Sequence, residues 1–107
     1  MGGIWNIGGT MELISEAVAG TLESSDAFIL IERNPGQGIE IELESLVQRR
    51  YGQHVLNITE ACLHKLGVRD ARVKIHDKGA LDCTLEARLQ TAIFRAAGID
   101  KLRWEVL

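Results

Sequence analysis

Ile39-Glu40-Ile41-Glu42-Leu43-Glu44 followed by Ser45-Leu46-Val47-Gln48 holds the change of period that decides the fold. Up to Glu44 apolar and acidic residues alternate strictly, so one face of a strand meets a core while the other carries three carboxylates into water. After Ser45 the period becomes helical. Val47, Tyr51, Val55, Ile58, Cys62 and Leu66 fall on one stripe, and Ser45 with Gln48 has the spacing of a capping box. Gly67 is placed to end this helix in the left-handed conformation.

Working outward toward the C-terminus, Ala71, Val73 and Ile75 alternate with Arg72, Lys74 and His76, which predicts a short strand with a basic outer face. Were it to neighbour the acidic strand, the two rows of charge would pair, each exposed pair contributing under about 1 kcal/mol. A second helix is expected over residues 80–97, with Leu81, Leu85, Leu89, Ile93 and Ala96 on its core side and Gly98 closing it. Asp82 in its first turn and Arg95 in its last suit the helix dipole.

Toward the N-terminus, Asn34-Pro35-Gly36-Gln37-Gly38 is a strong turn signal, since proline fixes φ and glycine permits positive φ. Residues 27–33 contain the continuous run Phe28-Ile29-Leu30-Ile31, expected of a strand that is central or covered on both faces. Residues 17–22 read as a further strand weakened by Gly20. Glu23-Ser24-Ser25-Asp26 between them reads as a hairpin tip. The order strand, strand, strand, helix, strand, helix predicts an α+β fold, a small, mostly antiparallel four-stranded sheet with both helices packed on one face. The expected organisation is a flexible N-terminal extension over residues 1–14, one domain over 15–98, and a tail over 99–107 that holds Trp104.

Composition narrows the function. The chain has 107 residues, 46% of them hydrophobic and 25% charged, which suits one globular domain with one modest core and little room for a deep enclosed active site. Twelve Lys and Arg against fifteen Asp and Glu give a formal charge of −3, and aromatic residues make up 5%. That excludes the concentrated cationic surface and stacking platforms of nucleic-acid binding. The apolar stretches are too short to span a bilayer and no secretory leader is legible, so the expected location is cytoplasmic. The Gly-rich residues 1–10 read as an upstream start or an added leader, and Asn6 stands where a myristoylation motif wants Ser or Thr.

The titratable residues do not make a catalytic or metal site. His54, His64 and His76 are scattered, and Cys62, His64, His76 and Cys83 lack the paired short spacings of zinc sites. Cys62 and Cys83 read as reduced thiols and small packing residues. No base lies near Cys83 in sequence, and the Gly-rich phosphate and dinucleotide patterns are absent. Ser24 and Ser25 differ from the rest because a hairpin tip would expose them, which is what a modification site needs.

Two motifs add a resemblance. Residues 17–26, Ala-Val-Ala-Gly-Thr-Leu-Glu-Ser-Ser-Asp, and residues 77–83, Asp-Lys-Gly-Ala-Leu-Asp-Cys, with Glu86-Ala87-Arg88-Leu89 behind them, resemble the acyl carrier protein, or gamma subunit, of citrate lyase. The similarity runs over about residues 17–98. It implies a non-catalytic carrier subunit with a 2'-(5''-phosphoribosyl)-3'-dephospho-CoA group in phosphodiester linkage to the serine after Gly-Thr-Leu-Glu, here Ser24. It implies no metal.

The partners implied are an alpha subunit that exchanges acetyl for citrate on the prosthetic thiol, a beta subunit that cleaves the citryl thioester to oxaloacetate and acetyl thioester, and a prosthetic-group transferase. Ser25 stands where relatives often have Gly. Lys78 and Gly79, at the start of the second helix, are candidates to lie near Ser24 and meet the phosphodiester. The alternatives are the corresponding carrier of malonate decarboxylase and an unmodified protein-binding adaptor.

Overall fold

The computed structural model describes residues 11–45 and 49–98, with backbone alone at 49–51. Its elements are β1 (Ala17–Gly20), β2 (Ala27–Arg33), β3 (Ile39–Ser45), α1 (Arg49–Lys65), β4 (Ala71–Asp77) and α2 (Asp82–Ala96). The α+β class and the element order are those read from the sequence.

The lateral order β1-β2-β4-β3 places β4 between β2 and β3. β1 with β2 and β2 with β4 pair antiparallel, while β3 pairs parallel to β4, so the sheet is mixed. Parallel neighbours need a crossover of a dozen or more residues, and α1 supplies it. The acidic and basic rows do become neighbours: Glu40, Glu42 and Glu44 stand opposite Arg72, Lys74 and His76. Arg72 Nε lies 3.3 Å from Glu40 Oε1 and His76 Nδ1 lies 3.1 Å from Glu44 Oε1.

Alternation sends Ile29, Ile31, Val73 and Ile75 to one face of the sheet, where they are buried with Val55 and Leu63 of α1 and Leu85, Leu89 and Ile93 of α2. Each such side chain contributes roughly 1.5–3 kcal/mol on burial. β2 is central, as its apolar run implied, but among the described residues only one of its faces is covered by helix. Phe28 and Leu30 lie half-buried on the other. Ile41 and Leu43 are half-buried and Ile39 exposed, because β3 is an edge strand.

Three local expectations change, and one, the capping box, falls partly outside the described residues. Ser45 ends β3 and its hydroxyl donates to Asp77 Oδ2 at 3.3 Å, while Gln48, the other half of the expected capping box, lies outside the described residues. Leu81 precedes α2 as its N-cap and is 69% exposed, not a core position. Cys83 is exposed, whereas Cys62 is buried as expected, and burial pushes its thiol up to about 11. Leu13 is buried in the core, and the Met11 and Ile14 amides donate to the Gly67 and Ala96 carbonyls, so the chain ahead of β1 is tied to the helix ends. Gly67 ends α1 as expected, at φ 78°. The readings of residues 1–10, Val47 and Trp104 lie outside the described residues, as does the side chain of Tyr51.

Candidate functional site

β1 and β2 are joined by the turn Thr21-Leu22-Glu23-Ser24-Ser25-Asp26, in which all but Asp26 are exposed. The turn is built from local chemistry first. Thr21 Oγ1 accepts from the Glu23 amide at 3.2 Å and donates to Asp26 Oδ2 at 2.7 Å, and the Asp26 amide donates to the Glu23 carbonyl at 3.2 Å. Ser25 holds φ at 65°, in the left-handed region that disfavours a side chain.

The second motif meets the first here. The Ser25 amide donates to the Lys78 carbonyl at 2.8 Å, and the Lys78 amide donates to the Asp26 carbonyl at 2.9 Å. Asp77, buried at the end of β4, accepts from the Gly79 and Ala80 amides at 3.1 and 3.0 Å. Its carboxylate thus fixes the bend into α2, and the Lys78 backbone is held in place to brace the turn. The Asp-Lys-Gly motif thus forms the turn and the start of the second helix and braces the first motif through its backbone. Lys78 and Gly79 are therefore brought to the Ser24 turn, and so is the α2 N-terminus, whose N-cap Leu81 has no side-chain cap hydrogen bond.

The third short run also reaches the turn. Arg88 of α2 forks onto Asp26, Nε to Oδ1 at 2.9 Å and Nη2 to Oδ2 at 3.0 Å. The Arg88 and Thr21 hydrogen bonds hold the Asp26 carboxyl far below the usual carboxylate range, against a smaller opposing effect of burial. Both Asp26 and Arg88 escaped the sequence reading of the site.

The other candidates stay apart. His54 Nε2 lies 2.9 Å from Asp82 Oδ2, joining α1 to α2, and His76 pairs with Glu44 on the open sheet face. Among the described residues no three His, Cys, Asp or Glu side chains gather as a metal site. The Ser24 hydroxyl has no hydrogen-bond partner among them either.

Replacing Ser25 by glycine removes a left-handed side chain worth on the order of 1 kcal/mol of strain, partly offset by glycine's greater unfolded-state freedom. The thermal midpoint of Ser25→Gly is expected to rise by roughly 2–6 °C. A fall would show that the side chain stabilises the turn instead.

A small α+β domain that presents a serine on a braced turn has the form of a carrier, and the comparisons give that form its family. The family profile described as "ACP: Malonate decarboxylase delta subunit (MdcD)" matches residues 14–96, and the chain belongs to this acyl carrier family. Within it the chain belongs with the citrate lyase acyl carrier proteins. It is 47% identical over 95 residues to the citrate lyase acyl carrier protein of Streptococcus equi subsp. equi, covering 89% of this chain and 93% of that protein. Against that of Escherichia fergusonii it is 48% identical over 94 residues, covering 88% and 97%.

A chain in the crystal structure of a Pseudomonas malonate decarboxylase hetero-tetramer in complex with malonate superposes with a TM-score of 0.66 at 20% identity, covering 82% of this chain and 90% of that one. At that identity the likeness is one of fold.

Proposed function

We propose that this acyl carrier serves a citrate lyase, bearing acetyl and citryl thioesters on a phosphoribosyl dephospho-CoA group joined to Ser24. The observation that carries the reading is the exposed Ser24 hydroxyl on a turn held from below by Lys78, Asp26 and Arg88. A carrier needs a nucleophile that a separate transferase can reach and a mount that stays ordered while its arm moves between two foreign active sites. The residues present fit such a group. Ser24 opens to solvent, leaving room for a long arm, and the phosphodiester would hang beside the loop of Lys78 and Gly79.

The group supplies the reactive thiol. This chain supplies the mount, and tethering replaces affinity for free substrate with a high effective concentration. The domain over residues 15–98 would then be non-catalytic and cytoplasmic, acting with an alpha acyltransferase subunit, a beta lyase subunit and the prosthetic-group transferase. Leu22 and Leu81, 59% and 69% exposed, lie on the two loops that the Ser25–Lys78 hydrogen bond ties together, and a visiting enzyme has apolar surface to bury there. The match to the malonate decarboxylase delta-subunit profile supports a second reading, a carrier for that decarboxylase.

Intact mass after co-expression with the cognate transferase tests the attachment. Wild type and Ser25→Ala are expected to gain the increment of one prosthetic group, and Ser24→Ala none. An increment that survives in Ser24→Ala moves the anchor elsewhere, and no increment in wild type leaves the unmodified adaptor. Turnover of citrate, and not decarboxylation of malonate, by the loaded chain with the matching catalytic subunits separates the two carrier readings.

A further inference from the structure

Exposed ion pairs contribute little, but the Asp26–Arg88 pair is exposed on one side alone, that of the 40% exposed Arg88 side chain. The Asp26 side chain is 12% exposed, and its carboxylate accepts four hydrogen bonds. Oδ1 takes the Ala27 amide at 2.7 Å and Arg88 Nε at 2.9 Å; Oδ2 takes the Thr21 hydroxyl at 2.7 Å and Arg88 Nη2 at 3.0 Å. Thr21 and Ala27 are the two feet of the turn that carries Ser24. One carboxylate therefore fastens both feet together, and the Arg88 fork fastens that carboxylate to α2.

The anchor is rigid because Arg88 stands on a helix between the core residues Leu85 and Leu89, and a bidentate fork fixes orientation as well as distance. The route is kept open at Gly20, where an added Cβ would stand 3.2 Å from Arg88 Cδ.

We propose that Asp26 and Arg88 are positioning residues that hold the Ser24 turn in the one conformation the modifying enzyme accepts. The claim rests on reading Ser24 as the attachment residue. β2 and β4 are held by their own ladder and by the apolar core, so the pair's particular effect falls on the turn. A turn without the fork samples other conformations, and the efficiency of any enzyme that needs the ordered one falls by the fraction of time it is absent.

The full chain carrying Arg88→Met, which keeps an apolar stem of similar length, and Arg88→Lys, which keeps one cationic donor, are compared with wild type in two measurements. Amide hydrogen exchange at Ser25 and Asp26 is read against the amides of β2 and β4, and kcat/KM is read for loading by the transferase. In Arg88→Met, protection at Ser25 and Asp26 is expected to drop at least about tenfold more than in β2 and β4, with loading falling in parallel, and Arg88→Lys is expected to recover part of both. Equal losses across turn and sheet, or an unchanged turn, overturn the proposal.

If Arg88→Met does not fold, Arg88→Lys and Thr21→Val, which removes one foot's hydrogen bond, are read by the same criterion. Loading of Ser24→Ala would instead sink the attachment reading, while the exchange comparison still decides whether the pair orders the turn.

Discussion

Gly20→Ala is expected to lose about 3 kcal/mol or more of stability, a drop in thermal midpoint on the order of 15 °C, and to disorder the Ser24 turn before the rest of the sheet. Gly20 ends β1 opposite Phe28 at a φ of 89°, where a side chain is already strained. The steric problem is worse than the dihedral one. A Cβ built there overlaps the carbonyl oxygen of Ala27, a backbone atom of the central strand, and comes within 3.2 Å of Arg88 Cδ.

A flexible side-chain tip can move aside at small cost, but a backbone carbonyl in β2 can move only by disturbing its ladder. Both displaced groups also belong to the support of the turn, Ala27 through the hydrogen bond its amide donates to the Asp26 carboxylate and Arg88 through its fork. Thermal unfolding with exchange at Ser25 checks the result. A variant within about 1 kcal/mol of wild type would mean that the β1–β2 turn has slack that this packing does not show.

Much of this was legible in the sequence where a period was long enough to read. The switch at Glu44 to Ser45, the basic row of β4 and the Leu85-Leu89-Ile93 stripe gave the elements and their order, because burial imposes period two on a strand and near 3.6 on a helix. Lateral order was not legible. Nothing in residues 39–45 says that their neighbour is β4, parallel and across a helix, apart from the opposed charges of Glu40 and Arg72, which make the pairing favourable without requiring it.

Leu81 fits the helical period yet is exposed, because the bend held by Asp77 starts the helix at Asp82 and leaves the preceding leucine outside. There a tertiary contact overrides a local pattern.

The site divides in the same way. That Ser24 would be exposed could be read from four small polar residues between two apolar strands. What holds it could not, since Asp26 and Arg88 are 62 residues apart and no periodicity links a turn to a helix. One weak signal existed: Arg88 sits beside the stripe of Leu85, Leu89 and Ala92, where a guanidinium partly withdrawn from water needs an anion. The three short runs that define the family resemblance prove to be parts of one object, with Asp26 on the first, Lys78 on the second and Arg88 on the third.

Asp26→Asn is expected to lower stability at pH 7 by at least about 2 kcal/mol, and the gap from wild type is expected to narrow as the solution is acidified below about pH 4. The amide keeps the shape of the carboxylate but turns an acceptor into a donor, aimed either at the Ala27 amide and Arg88 Nε or at the Thr21 hydroxyl and Arg88 Nη2, all of which donate in the wild type. The pH dependence follows from the direction of the Asp26 shift. Its carboxyl is depressed in the folded state relative to the ordinary 3.8, with the Arg88 hydrogen bond the largest cause and the Thr21 hydrogen bond next.

The unfolded chain therefore takes up this proton first. The stabilisation is fully present above the unfolded value, and it declines as pH falls from there toward the lower folded value, by at most about 1.4 kcal/mol per pH unit. Glu23, Lys78 and the other ionisable groups around the turn are present in both proteins, so the difference between the two curves isolates Asp26. Denaturant unfolding of wild type and Asp26→Asn from pH 7 to pH 2 measures it. A gap that stays constant down to pH 2 would mean that Asp26 titrates alike in the folded and unfolded chains, and that the fork with Arg88 does not hold its charge in solution.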